Sequence, residues 1–287
     1  MPSKVPIDHY FDETFVESVR TELIAKIETN CQVYDKRDVH KLMTCDDWFV
    51  RRFLPWRPTT VDTAVKCVSD AMKWRHLKAI NDWNDTYFPN EFYRLAACFT
   101  YLPDRDNNNV LIIRLKNNRR DPILRPHFDE LARNYFIYKC EKIVSENSHR
   151  GFAIIFDCHE ASLSNVDLDF ARFIISTLSN YYAGAVVYVC VYELPWIFNQ
   201  IWKLVRSWLD SEAKKLVRFA TKKDISKLIA EENLPDYMGG TGTKDYRHVP
   251  KGALTIEEMA RQTGVQGFCG TDIDKVVNHF TKLIDNS

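Results

Sequence analysis

Two short, continuous apolar runs constrain the fold of this chain more than any other feature. They read GFAIIFD at 151–157 and AVVYVCVYEL at 185–194. Such runs are typical of strands buried on both faces, as in parallel sheets covered by helices. Helical patterns at 128–146 and 167–182 alternate with them, and LVRFA at 216–220 predicts another strand. The chain is therefore predicted to contain an α/β lobe with a mainly parallel sheet and helical cover.

The segment before this lobe is predicted to be all-helical. Apolar residues recur at helical spacing over 12–29, 36–54 and 60–79. FTYL at 99–102 and VLIIRL at 110–115 then flank the turn-forming sequence DRDNNN. Two strands around such a connector predict a hairpin at the start of the lobe.

The end of the chain is predicted to return to helices. KDISKLIAEENLP predicts a helix that ends before Pro235, and GALTIEEMARQTG and TDIDKVVNHFTKLID predict two more. We therefore expect three parts: an N-terminal helical region at 1–90, the α/β lobe at 91–245 and a C-terminal helical extension at 246–287.

Charge and cysteine usage exclude several classes of protein. The 39 basic residues balance the 39 acidic ones, whereas proteins that bind nucleic acid broadly need a basic surface. The eight cysteines are scattered, without a C-x-x-C pair, so neither a disulfide framework nor a zinc site is indicated. No apolar leader or run of eighteen apolar residues is present. We expect a cytoplasmic protein without a metal or a cofactor.

The segment PWIFNQIWKLVRSWL, at 195–209, contains three of the seven tryptophans. As a helix with ~100° per residue, it gathers its apolar side chains in an arc of roughly 160°: Ile197, Phe198, Ile201, Trp202, Leu204, Val205, Trp208 and Leu209. One interpretation is an ordinary core helix. The other is a helix that covers an apolar cavity or enters a membrane interface, where Trp and basic residues are favoured.

A catalytic interpretation rests on Cys158 and His159, which follow a predicted strand. Groups at the carboxyl ends of strands often act in α/β enzymes. Neighbouring residues of an extended chain point to opposite faces, however, so these two side chains are poorly placed to pair. We therefore expect no enzymatic activity.

Four segments in order resemble the CRAL-TRIO (Sec14-like) lipid-binding family. They are WFVRRFLPWRPTTVDTAVKCVSDAMKWR (48–75), GFAIIFD (151–157), VYELPWIFNQIWKLVRSWLD (191–210) and LPDYMGG (234–240). Four stretches resemble the branch whose members continue into a major sperm protein domain and a membrane anchor: YDKRDV (34–39), VDLDFARFII (166–175), PWIFNQIWKLV (195–205) and MGGT (238–241). The last ~40 residues do not match that pattern, so we do not carry over tethering through such an anchor.

The resemblance implies a fold and a function. It implies an N-terminal helical region beside an α/β lobe that encloses an apolar pocket, with the tryptophan-rich helix as a gate that contacts membranes when open. The implied pocket residues are Ile113, Ile155, Val187, Val189, Val191, Phe198 and Ile201. The implied membrane-contacting gate residues are Trp196, Trp202, Lys203, Val205, Arg206, Trp208 and Leu209. Strand periodicity leaves open which alternate residues face the pocket and which face covering helices.

The resemblance also bears on the lipid headgroup. Family members that bind phosphatidylinositol carry a Pro-Glu-Arg step before the pocket strand, where this chain has Ala183, Gly184 and Ala185. Lys222 or Lys223 is the candidate for the family's headgroup lysine. The lipid class therefore stays open.

Two functions of different kinds follow from these patterns. The first is non-enzymatic binding, and possible transfer, of one lipid by a monomeric, peripherally membrane-associated protein. The second is a membrane-recruitment or protein-interaction module that exchanges no lipid. An open, elongated pocket favours the first, and a filled one favours the second.

Overall fold

The lobe is built on a five-stranded sheet whose strands lie in chain order. The computed structural model describes residues 11–44, 47–118, 125–146, 151–263, 270–285 and 287. The strands are β1 (Cys98–Tyr101), β2 (Asn109–Arg114), β3 (Phe152–Asp157), β4 (Val186–Tyr192) and β5 (Val217–Ala220). β1 pairs antiparallel with β2, and each later pairing is parallel. The predicted hairpin and the predicted, mainly parallel sheet are confirmed.

The helices that connect the parallel strands share one face of the sheet. They are α6 (Arg125–Glu146), α7 (Leu168–Tyr181), α8 (Asn199–Ser207) and α9 (Ser211–Leu216). Because the strand order always advances in one direction, right-handed crossovers place each connection on the same side. α6, α7 and α9 accordingly join one apolar core with Leu111, Ile113 and Ile154 of the sheet.

The opposite face of the sheet is covered by an irregular segment. Ile225, Ile229, Leu234 and Met238 pack there. The prediction of a helix that begins at 223 and ends before Pro235 is wrong. That stretch forms short 3-10 turns at Ile225–Lys227 and Glu231–Asn233, and a third turn follows at Asp236–Met238. The carbonyl of Leu234 accepts from the N–H of Gly242, so a local helix is replaced by contacts across the segment.

The N-terminal region is helical, as predicted. It comprises α1 (Glu13–Thr29), α2 (Lys36–Thr44), α3 (Trp48–Arg51) and α4 (Val61–Leu77), and α5 (Asn90–Leu95) leads into β1. The segment predicted as one helical stretch over 36–54 is divided into α2 and α3; residues 45–46 between them lie outside the described residues.

The C-terminal extension packs against the beginning of the lobe. It contains α10 (Ile256–Thr263) and α11 (Gly270–Asp285), which confirms both predicted helices. The N–H of Ile256 donates to Glu91 Oε2 at 3.0 Å, and the N–H of Asn90 donates to the Leu254 carbonyl at 2.8 Å. Val276 and Phe280 join the main core. The domain boundaries themselves stay a prediction.

A buried ionic cluster joins the N-terminal helices to the lobe. Arg75 donates from Nε to Asp38 Oδ2 at 2.7 Å and pairs through Nη1 with Glu141 Oε1 at 2.5 Å. Arg52 and the hydroxyl of Tyr182 also contact Glu141, at 3.4 and 2.6 Å. Burial disfavours the carboxylate, but Arg75 and Arg52 outweigh it and lower the pKa of Glu141 to about 2. The carboxylate therefore holds two guanidinium groups from the helical region against α6.

We expect Glu141→Gln to lower the free energy of unfolding by about 3 kcal/mol at pH 7, because it leaves buried guanidinium groups without their partner. Urea denaturation measures this change. Because the pKa of Glu141 is lower in the folded than in the unfolded chain, its stabilisation is complete above pH 4.5 and is lost as the pH falls toward 2. The difference between wild type and variant should shrink over that interval.

The matched control is Glu130→Gln on the same helix. The side chain of Glu130 is 76% exposed and pairs with Lys78 at the surface. Its replacement should change the free energy of unfolding by less than about 0.5 kcal/mol. Equal effects of the two substitutions would contradict the role assigned to the cluster.

Candidate functional site: a cavity across the sheet

An apolar cavity of about 340 Å³ lies between the helix-covered face of the sheet and helices α6, α7 and α8. Each of the five strands contributes to its wall, through Cys98, Ile113, Phe156, Val189 with Val191, and Val217. Neighbouring strands lie ~4.8 Å apart, so the four spacings make the cavity roughly 19 Å long across the sheet. It is therefore elongated enough to accept an extended hydrocarbon chain.

Five of the seven predicted pocket residues lie on this wall: Ile113, Val189, Val191, Phe198 and Ile201. Ile155 lies on the opposite face of the sheet, because side chains alternate along β3 and its neighbours Ile154 and Phe156 point to the cavity side. The structure thus decides between the two alternate sets that the sequence leaves open. Lipid binding by any of these residues stays a prediction.

Val187 is removed from the wall by a β-bulge. Phe152 pairs with Val186, whereas Ala153 pairs with Tyr188, so Val187 is the extra residue. It packs on the opposite face with Tyr188, and Val186 takes the wall position instead. A Cβ on Gly151 would lie 2.6 Å from Val187 Cγ2, so a glycine is needed where the bulge approaches the start of β3.

The predicted gate helix is divided into two parts. A 3-10 turn at Trp196–Phe198 precedes α8, which ends at Ser207. Phe198, Ile201, Trp202, Val205 and Leu209 line the cavity. Lys203 and Arg206 are exposed, and Trp208 is half-buried under the guanidinium of Arg172.

Three large apolar side chains around this helix face solvent. Trp196 is 80% exposed and Leu204 is 43% exposed, although the helical pattern puts Leu204 in the apolar arc. Phe219 of β5, which the sequence did not single out, is 54% exposed and makes an edge contact with Trp202. The segment therefore has an apolar inner face and an outer surface that mixes aromatic, aliphatic and basic groups.

The headgroup candidates lie outside the cavity. Lys222 and Lys223 are exposed, and neither lines the wall. The backbone N–H of Lys222 donates to Glu193 Oε1, and its side chain runs past Gly239. Ala183, Gly184 and Ala185 form a buried 3-10 turn. Headgroup binding by the two lysines stays a prediction.

Protein-family comparison agrees with this architecture. The model of the CRAL/TRIO domain matches residues 95–240, which is 146 of 287 residues and includes the whole sheet. The chain belongs to the CRAL/TRIO domain family.

Curated relatives of this CRAL/TRIO chain are distant. A CRAL-TRIO domain-containing protein of Schizosaccharomyces pombe is 22% identical over 218 residues, which are 72% of this chain and 48% of that protein. The phosphatidylinositol transfer protein CSR1 of Eremothecium gossypii is 30% identical over 88 residues, 30% of this chain and 20% of that protein. The chain thus spans half the length of these relatives or less.

A solved structure shows the same fold. The crystal structure of Sfh5 superposes with a TM-score of 0.63 at 15% sequence identity, covering 88% of this chain and 98% of that one. This likeness confirms the Sec14-like α/β fold with its N-terminal helical region. Among the described residues, no helix is both long enough and apolar enough to cross a membrane.

The amides of Asn117 and Asn165 at the wall of this CRAL/TRIO cavity are bound by the protein itself. Asn117 Nδ2 donates to the Leu95 carbonyl at 2.8 Å, and Asn165 Nδ2 donates to the carbonyls of Lys116 and Asn118 at 3.0 and 2.9 Å. The guanidinium of Arg114 lies 3.9 Å from the centre of the Tyr237 ring, and Tyr237 packs on the opposite face of the sheet. The described wall therefore presents mainly hydrocarbon.

Cys158 lies at the wall but lacks the properties of a nucleophile. Burial raises the pKa of its thiol to about 12, and its Sγ lies 3.7 Å from the carbonyl oxygen of Phe156. In the described part of the chain, no hydrogen bond joins Cys158 to the side chain of His159. The thiol is therefore neutral at pH 7, whereas catalysis requires the thiolate.

We expect iodoacetamide at neutral pH to alkylate Cys158 of the folded protein about 100-fold or more slowly than Cys31, because only the accessible thiolate reacts. Cys31 is exposed. Peptide mapping by mass spectrometry gives the two rates, and the urea-unfolded chain, in which both should react, is the control. Equal rates in the folded protein would contradict the burial of Cys158.

Proposed function

We propose that this chain binds one lipid in the cavity and that the segment 195–209 is the gate through which the lipid enters and leaves. The observation that carries the proposal is the elongated apolar cavity, one side of which is made by Phe198, Ile201 and Trp202 of that segment. A cavity of a few hundred Å³ with a mainly apolar wall is typical of a small-molecule site.

Burial of hydrocarbon supports an occupant. A hydrocarbon that enters the cavity leaves water, which contributes about 25 cal/mol for each Å² of apolar surface buried. It also contacts the apolar side chains of the wall. Because the folded chain alone offers this site, occupancy stabilises the fold.

The comparisons support the same function. The relative from Eremothecium gossypii is named as a phosphatidylinositol transfer protein. We extend lipid binding to this chain, but not the preference for a phosphatidylinositol headgroup. We further propose that binding involves no enzymatic step, which is consistent with the neutral, buried thiol of Cys158.

We also propose peripheral association with membranes by a cytoplasmic monomer. Exposed Trp196 and Leu204 with Lys203 and Arg206 suit the interface between headgroups and acyl chains. Within the family, we propose that this chain is most similar to the CRAL-TRIO domain of motile sperm domain-containing protein 2. The stretches YDKRDV and VDLDFARFII support this proposal.

We expect lipid mass spectrometry of protein purified without detergent to find one bound lipid per chain. Ala171→Phe, at the wall on α7, should lower its occupancy by about tenfold or more, because forcing a ring into a filled site costs about 1–3 kcal/mol. Ala171→Ser nearly preserves the volume and is the matched control. A chain that stays empty after incubation with mixed liposomes would contradict lipid binding.

We expect Trp196→Glu with Leu204→Glu to weaken binding to vesicles of phosphatidylcholine and phosphatidylserine by about tenfold or more, because burying one large apolar side chain contributes about 1.5 kcal/mol or more. Vesicle co-sedimentation measures the change. Met43→Glu with Leu77→Glu is the control, since both side chains are exposed apolar groups of the N-terminal helices.

The two experiments together separate lipid binding from membrane recruitment. An empty cavity combined with vesicle binding that depends on Trp196 and Leu204 would favour a recruitment module. Unchanged vesicle binding in the folded double variant would contradict membrane contact by the gate, while leaving lipid binding in place.

A further inference from the structure

Three phenylalanines line the cavity on the side of the sheet edge formed by β1. They are Phe92 of α5, Phe128 of α6 and Phe280 of α11, and all three are buried and line the wall. The ring centres of Phe92 and Phe280 lie 5.8 Å apart in a stacked arrangement, and those of Phe128 and Phe280 lie 5.7 Å apart. We call these residues the aromatic wall.

The strand order places the aromatic wall and the gate at opposite ends. α5 leads directly into the edge strand β1, whose Cys98 lines the cavity. At the other edge, Val217 of β5 lines the cavity near Trp202 and Leu209 of the gate segment. A hydrocarbon that enters beside α8 and crosses the sheet therefore ends against the three rings.

The C-terminal extension holds the aromatic wall in place. Two backbone-anchored contacts tie it to α5, from Ile256 to Glu91 and from Asn90 to Leu254. Val276 is fully buried one turn before Phe280, and Leu283 also lines the cavity. Phe280 is therefore fixed by packing, as a residue that limits the size of a ligand must be.

We propose that the aromatic wall sets the longest hydrocarbon chain that the cavity accepts, and that Phe280 of the C-terminal extension is the specificity-determining residue. The inference rests on the proposed lipid-binding function and names a determinant of its ligand. A methylene that fits inside the cavity strengthens binding by about fourfold, the equivalent of its burial. A methylene that meets the rings gains nothing and strains the packing.

The test compares the affinities of a homologous series of saturated n-alkanols, measured by displacement of anilinonaphthalene sulfonate from the full chain. Phe280→Ala should move the tightest-binding alkanol to a longer chain, with a gain of about fourfold for each methylene newly accommodated. Phe280→Leu should shift it less, and it keeps the test informative if the alanine variant is poorly folded. Phe280→Trp should shift the optimum to a shorter chain.

Phe88→Leu is the matched control. Phe88 is fully buried beside Tyr135 in the same aromatic cluster but does not line the cavity. Phe88→Leu should leave the chain length of the tightest-binding alkanol unchanged, while lowering the free energy of unfolding about as much as Phe280→Leu does.

The outcomes separate this inference from the proposed function. If the chain length of the tightest-binding alkanol shifts in the Phe280 variants but not in Phe88→Leu, the aromatic wall limits the length of the ligand. A wild-type optimum that persists in all three Phe280 variants overturns it and leaves lipid binding intact. A wild-type chain that binds none of the alkanols contradicts the proposed function, and this inference with it.

Discussion

The contact between Glu141 and the guanidinium groups of Arg75 and Arg52 is the interaction on which the site depends. It fixes α6, and the same helix presents Phe128, Tyr135 and Phe136 to the cavity. Removing these charges from water is costly, so the cluster is stable only because each member is paired. Apolar packing alone tolerates small shifts of a helix, whereas a buried ion pair requires one arrangement. The cluster thus anchors the helix that supplies one wall of the cavity.

The cavity interrupts the close packing of the interior. Protein interiors are close-packed, yet here the helices that cover the sheet leave a space of about 340 Å³. Helices from three regions surround it: the connections of the sheet, the N-terminal helices through the ionic cluster, and α11 through the packing of Phe280 on Phe92 of α5. Rigid surroundings with an apolar wall are what a site for hydrocarbon needs, because the ligand then replaces packing that the protein lacks.

Much of this fold follows from sequence patterns. Buried parallel strands are continuous apolar runs, so β3 and β4 are recognisable within a residue or two, and so is the alternation with helices. Five of the seven pocket residues implied by the family resemblance also lie on the wall. Failures occurred where distant contacts override local preference: the segment 223–235 has helical spacing but lies across the sheet, and Leu204 lies on an apolar arc that is only partly covered.

The sequence by itself determined the α/β class, the order of the strands along the chain and the amphipathic character of 195–209, because these depend on local hydrophobic periodicity. Only the tertiary structure decided which strand face borders the cavity, since both faces are apolar. It also placed Val187 on the far side, through a bulge that periodicity does not reveal. Finally, it brought Phe280 to Phe92, nearly two hundred residues away along the chain, because contacts between distant segments are set by packing of the whole lobe.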